Sequence, residues 1–334
     1  MRTMTRPRPR TLLAITAVLV ALVAALSRGP LSYASGQDAS DNRSAAAGHG
    51  RFAVRALVIT MFEGETKPWL ERESLPRTIE VPGAYAPLHC DDAGLCVTTT
   101  GMGKTNAAAS MAAILDSRRL DFRKAYFLTA GIGGTPPRNG TLGFAAWARW
   151  VVDYDLGHHV STATDPTVPH GYLKGDDTGT NVFRLDDHLV DTAYRLTRNI
   201  KLADSDEAAE NRAHYPGQAG KTPYVDICDT VTGDNFWTGQ DQSERAQYVI
   251  DQWTDGQGDY CTTQMEDNAT AAVLNRHGYL KRYLDLRTAS DFDQPYRGQS
   301  AKDVLTSFPG YGISVENAYR VGSKVAHHLA GRGA

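Results

Sequence analysis

The sequence predicts an α/β fold, a single domain in which a mostly parallel, mixed sheet is flanked by helices. Two observations predict it. Short β-branched apolar runs alternate with helical patterns along the chain, as expected of strands joined through crossover helices. Several of these runs end in glycines or in polar and aromatic residues, the composition of loops at one end of such a sheet. No internal repeat and no linker follows Gly50, so one domain over residues 51–331 is expected.

The elements follow in order. "AVRALVIT" at 53–60 is a buried strand. "LCVTTTGMGKTNAAASMAAIL" starts as a strand at Leu95. It passes through the Gly101-Met102-Gly103 turn and becomes an Ala-rich helix from about Asn106. "KAYFLTAGIGG" repeats strand-then-glycine. "AAWARWVVDYDL" is a further strand, "VDICDTVTGDNFW" a strand running into a polar-aromatic loop, and "YLDLRTASDFD" a strand with a polar end. "QMEDNATAAVL" reads as a helix with acids at its mouth, and "VENAYRVGSKVAHHLAG" as a closing amphipathic helix. Residues 157–179 are polar, with several Gly and Pro, and read as a long loop over one edge.

Composition excludes little beyond the obvious. The 334 residues are 41% hydrophobic and 22% charged, with a formal net charge of -3. That balance gives no electrostatic case for nucleic acid or an anionic membrane as partner. The N-terminus is set apart. Arg2, Arg6, Arg8 and Arg10 precede the uncharged run 11–26, and Ser32-Tyr33-Ala34 supplies small residues at the positions a signal peptidase reads. The run is shorter than the ~20 residues of a spanning helix. We therefore read 1–34 as an export signal and 35–50 as a disordered tether, which makes the protein secreted or cell-surface. A retained N-terminal membrane anchor is the alternative. No Cys stands near the cleavage region to make a lipoprotein.

Export makes an even cysteine count informative. Cys90 and Cys96 bracket the turn sequence "DDAGL", and a hairpin brings such ends within disulfide reach. Pairing Cys90 with Cys96 leaves Cys228 for Cys261, one of three connectivities, with four free thiols as the alternative. The spacing matches no common zinc pattern, and no cofactor fingerprint is present. Neither metal nor cofactor is expected.

Ligands of such sheets sit beyond the carboxyl ends of the strands. That rule gathers Glu63 and Glu65, the Gly101–Gly103 turn, the glycines after Ala130, then Asp234, Phe236 and Trp237, and finally Asp291 and Asp293.

The stretches "MFEGETKPW", "TTTGMGKTNAAAS", "GIGGTPPRNGTLGFAAWARWVVD", "TGDNFWTG", "EDNAT" and "LRTASDFD", in this order, resemble the purine nucleoside permease family over nearly all of the chain after the signal. More distantly, the GMGK turn, Thr232 to Phe236, Met265-Glu266 and Arg287 to Asp291 resemble the nucleoside phosphorylase/nucleosidase fold, in particular the methylthioadenosine/adenosylhomocysteine nucleosidases. The resemblance implies a purine nucleoside ligand, and a role in nucleoside uptake or in cleavage of the N-glycosidic bond. It assigns Asp291 to the purine N7, where an acid of raised pKa protonates the leaving base. It assigns Glu266 to the ribose hydroxyls and Met265 to the sugar face, Phe236 to stacking on the base, and Trp237 to the same wall. Glu63 aligns with the glutamate that activates water, with Glu65 as a competing alignment two positions on. Gly101, Gly103, Gly131 and Gly133 would let backbone N–H groups approach the ligand.

Several residues carry plainer readings. Asp267 is a helix cap or dipole partner, Asp234 a loop organiser and Lys104 structural. Phosphorylases of this fold place an Arg at the third strand's end to grip phosphate. Here Thr129 stands near the expected Arg and Ile132 near the hydroxyl residue, and Arg287 compensates only if it turns inward. Hydrolysis or binding alone is favoured over phosphorolysis. The chain has no run for a pore, so uptake would mean capture, or processing coupled to a separate membrane transporter. Relatives of the fold also build sites between subunits, which leaves room for a homo-oligomer.

Overall fold

A computed structural model describes residues 50–331 of the chain. Residues 1–34, read from sequence as an export signal, and residues 35–49, read as part of a tether, lie outside the described residues. The framework, in chain order, is β1 (Ala56–Thr60), α1 (Glu63–Arg72), β2 (Leu95–Thr99), α2 (Lys104–Leu115), β3 (Tyr126–Thr135), β4 (Ala145–Trp147), β5 (Trp150–Asp153), β6 (Val225–Ile227), β7 (Asp229–Thr232), α3 (Gln240–Thr254), β8 (Tyr260–Gln264), α4 (Asp267–Arg276), β9 (Tyr283–Phe292) and α5 (Tyr311–Leu329).

Among the described residues these strands belong to one twelve-stranded mixed sheet. β1 lies parallel to β2 and to β3, β9 parallel to β3, and β7 parallel to β5 and β8. Antiparallel pairs join β8 to β3 and β9 to β4, and also occur at both edges. The expected mostly parallel mixed sheet is therefore present. Two strands read as continuous are broken in two. "AAWARWVVDYDL" gives β4 and β5, and "VDICDTVT" gives β6 and β7, because their halves pair different neighbours. In the long loop, His158–His159 and Tyr172–Leu173 form a small antiparallel pair of their own.

β1 is Ala-Leu-Val-Ile-Thr with every residue buried, as a β-branched strand covered on both faces should be. α2 starts after Gly101 and Gly103, whose φ values of 82° and 88° lie where only glycine is comfortable, and its Ala-rich body has high helix propensity. α5 lays Val321, Val325 and Ala326 on the main core, and Gly322 lets it close on Trp69 and Ala130. A second core gathers Val152, Tyr154, Val231, Trp237 and Ile250 between β5, β7 and α3. Cys90–Cys96 and Cys228–Cys261 are both disulfide-bonded, the pairing expected. Cys90 and Cys96 face each other across the hairpin of Leu88–Cys90 with β2.

The feature that positions the site is a gap along β3. On one edge, β1 pairs with β3 as far as Thr129, and β8 arrives from the opposite direction only at Gly134. Between those registers the edge has no strand partner. β9 runs the length of the other edge.

Candidate functional site

A buried backbone edge needs hydrogen-bond partners. At the gap they come from two charged side chains. Glu65, in the first turns of α1, accepts the Ile132 N–H on Oε1 at 2.8 Å and the Met61 N–H on Oε2 at 2.7 Å. Arg287, turned inward from β9, donates through Nη1 to the Ile132 carbonyl at 2.9 Å. The gap opens into a cavity of about 290 Å³.

Three carboxyl groups converge on it. Glu65 is 3% exposed, and burial pushes its acid from the ordinary 4.5 to about 7 against the opposing pull of Arg287 and the two N–H bonds. Asp291, near the end of β9, is 5% exposed, and burial raises it to about 6. Its Oδ1 accepts the Ser290 hydroxyl at 2.6 Å. Glu266 sits between β8 and α4. It accepts the Gly103 N–H on Oε1 at 2.8 Å and Arg287 Nη2 on Oε2 at 3.0 Å. Burial still raises its pKa, because desolvation outweighs the guanidinium.

Gln264 fixes that corner. Its Oε1 accepts the N–H groups of Glu266 and Asp267 at 2.8 and 2.9 Å, capping α4 in place of a side chain from the cap residue itself. Its Nε2 is held by Thr232 Oγ1 at 2.7 Å and the Val231 carbonyl at 3.2 Å. The apolar walls are Met61, Met265 and Ile132, with a rim of Phe62, Phe236, Phe308 and Tyr311. Phe236 is 46% exposed, with its ring centroid 6.0 Å from that of Phe308. Gly133 and Gly134 line the floor, where a Cβ on Gly133 would stand 2.6 Å from the Thr263 carbonyl oxygen.

Four expectations are corrected. Glu63 is exposed at the first position of α1 and does not line the cavity. The helix turns Glu65 inward instead, so the alignment two positions on fits the geometry. Trp237 is buried in the second core, stacked on Tyr154 at 5.3 Å, and forms no part of the cavity wall. Gly101, Gly103 and Gly131 do not line the cavity either. The Gly103 N–H is taken by Glu266, and Gly131 is the close-approach point where a Cβ would stand 2.1 Å from Met61 Cε and 2.9 Å from Glu65 Oε1. Asp267 is no simple cap. It is fully buried and receives the two-pronged grip of Arg287, from Nε to Oδ2 at 2.9 Å and from Nη2 to Oδ1.

Asp291, Met265, Glu266, Phe236 and Gly133 are brought together as expected. Asp234 organises its loop through the Lys104 N–H at 2.8 Å, and Lys104 Nζ is held by Asp155 at 2.7 Å and Asp153 at 3.2 Å. Sequence reasoning missed Phe62, Phe308 and Tyr311, which carry no pattern marking them as a rim. It also missed the Asp267–Arg287 pair, which the basic residue inside a fully buried strand could have signalled.

A sequence model of the purine nucleoside permease family matches residues 53–332. The chain belongs to the purine nucleoside permease family. Among curated relatives, a purine nucleoside permease of Candida albicans is 32% identical over 319 residues, covering 86% of this chain and 79% of that protein. A Schizosaccharomyces pombe protein carrying the same family name is 30% identical over 311 residues, covering 83% and 89%. Among solved structures, the 5'-methylthioadenosine/S-adenosylhomocysteine nucleosidase of Neisseria meningitidis superposes with a TM-score of 0.56 at 17% identity, covering 82% of this chain and 98% of that one. Futalosine hydrolase of Helicobacter pylori follows at 0.54 and 15%, covering 82% and 98%. This permease-family chain thus has the nucleosidase type of α/β fold. Among its described residues, no helix is long and apolar enough to cross a membrane.

Proposed function

We propose that the protein binds purine nucleosides outside the cytoplasm and hydrolyses their N-glycosidic bond. The observation that carries this reading is the convergence of Glu65, Glu266 and Asp291 on one apolar, aromatic-rimmed cavity, with two of the acids raised to near-neutral pKa. Three carboxyls match three tasks. Glu266 accepts from the ribose hydroxyls while Met265 packs on the sugar. Phe236 stacks on the purine. Asp291, protonated, gives its proton to N7 as the C1'–N9 bond breaks and its electron pair passes into the base. Glu65, ionised, takes a proton from water as the water oxygen bonds C1'. The products are free purine and ribose. The buried acids also favour the positive charge that grows on the sugar. The likeness to nucleosidases and a hydrolase supports the fold of such a site, and the family supports the nucleoside.

Family membership favours a second role, in uptake. With no spanning helix among the described residues, that role is capture or processing ahead of a separate transporter. The deciding experiment incubates the purified protein with inosine and adenosine, with and without phosphate. Free base in both conditions is expected. Binding without any base would reduce the role to capture, and base only with phosphate would make the protein a phosphorylase.

A further inference from the structure

Arg287 is the one cationic side chain among the described residues that line the cavity. A guanidinium in a nucleoside-sized pocket would ordinarily serve as a phosphate receptor, since its planar donors match phosphate oxygens in pairs. Here each of its three nitrogens is engaged. Nε and Nη2 grip Asp267, Nη2 also reaches Glu266 at 3.0 Å, and Nη1 holds the Ile132 carbonyl at 2.9 Å. Arg287 is 2% exposed and Asp267 0%, so water screens little of their pairing. An anion entering the cavity would meet a neutralised guanidinium and the carboxyls of Glu65, Glu266 and Asp291.

We propose that Asp267 is the specificity-determining residue that fits this cavity to uncharged nucleosides and to water. By holding the donor face of Arg287 it withdraws the guanidinium from phosphate, whether free or carried on a ribose 5' position. The inference rests on the nucleoside reading of the site and adds the reason phosphate is excluded. It also places the protein after a reaction that removes phosphate from nucleotides, since the phosphorylated form would not enter.

Asp285 stands behind this pair on the same strand as Arg287. It is 1% exposed, and neither oxygen has a hydrogen-bond donor. Burial and the neighbouring charges of Asp267 and Glu266 hold its acid well above the carboxylate range, against Arg287. Asp285 therefore holds its proton more firmly than an ordinary carboxyl. If Asp267 lost its charge, Asp285 would be the next group able to neutralise Arg287. The test must remove both.

Isothermal titration at pH 7 with adenosine, inorganic phosphate and adenosine 5'-monophosphate distinguishes the sources of the anion. The chains to compare are the wild type, Asp267→Asn and Asp267→Asn/Asp285→Asn. The wild type should bind adenosine and neither phosphate species. The double variant should exceed the wild type in phosphate affinity by about tenfold or more, with Asp267→Asn alone gaining less because Asp285 remains. Asp267→Glu, which keeps the charge, should retain the exclusion. A nucleotide gain without a gain for free phosphate would place the receptor at the 5' end, and the reverse would place it at the nucleophile position; both support the inference. Phosphate binding by the wild type would overturn it, as would folded neutral variants that still ignore both anions. Should the neutral variants be unfolded in chloride, phosphate at matched ionic strength should refold them, because the anion then supplies the missing charge. No refolding would also overturn it. Absence of adenosine binding by the wild type would instead count against the functional reading, and the phosphate results would still stand on their own.

Discussion

Two glutamates two positions apart have opposite fates because a helix sends such neighbours to different faces. Glu63 meets solvent, whereas Glu65 fills the break in the sheet. Glu65→Gln should lower kcat for nucleoside hydrolysis by about 10²–10⁴ fold, while Glu63→Gln leaves it unchanged. The opposite ranking in a base-release assay would restore the first alignment. The pH profile carries a second signature. Glu65 must be ionised, with a pKa of about 7, and Asp291 protonated, with a pKa of about 6. Activity then falls below the first value and above the second, giving a narrow optimum between about 6 and 7 in which only a minority of molecules carry both correct states. A broad plateau from pH 5 to 8 would contradict these roles.

At the scale of elements, β9 explains what was legible in the sequence and what was not. "YLDLRTASDFD" reads as a strand with a polar end, and all ten residues of β9 are buried. Its polar residues were legible only where a motif marked them. Asp291 and Arg287 stood out, but that Arg287 would turn to Asp267 depends on how β9 lies beside α4, which no local pattern encodes. The gap in β3 was equally invisible, since "LTAGIGG" reads as one strand whatever its edges pair with. Glu266 was legible through the Met265-Glu266 motif that carries the family resemblance, whereas Trp237 misled because an aromatic after a loop is as often core as wall. The bridge between Cys228 and Cys261 bears on the same elements. It ties the approach to β7 to β8, and those strands deliver Phe236 and Glu266. It closes a separation of 33 residues against 6 for Cys90–Cys96. By loop-closure entropy, replacing the longer bridge with serines should cost about 1.5 kcal/mol more than replacing the shorter one, measured by urea unfolding. Equal losses would show that the shorter bridge does more than close a loop.

For the whole molecule, buried acids set an unusual dependence of stability on pH. Glu65 rises from 4.5 to about 7, Asp293 from 3.8 to about 7 and Asp291 from 3.8 to about 6, each chiefly through burial. An acid whose folded pKa is raised keeps its proton longer in the native state than in the unfolded chain. Its contribution is complete below the unfolded pKa and is lost as pH rises through the folded one. The melting temperature should therefore be higher near pH 5 than at pH 8, falling most steeply between about 4 and 7. Glu65→Gln should flatten part of that fall. A melting temperature that climbs from pH 5 to 8 would contradict the burial of these acids in protonated form.

The break along β3 also equips the protein with a built-in indicator. The amide of Ile132 donates to Oε1 of the Glu65 carboxyl at 2.8 Å. Its nitrogen and proton resonances must therefore move as the carboxyl gains or loses its proton. A single backbone signal, read in the absence of any substrate, reports the charge of the group at the heart of the cavity. It would also register the arrival of a nucleoside through the same bond.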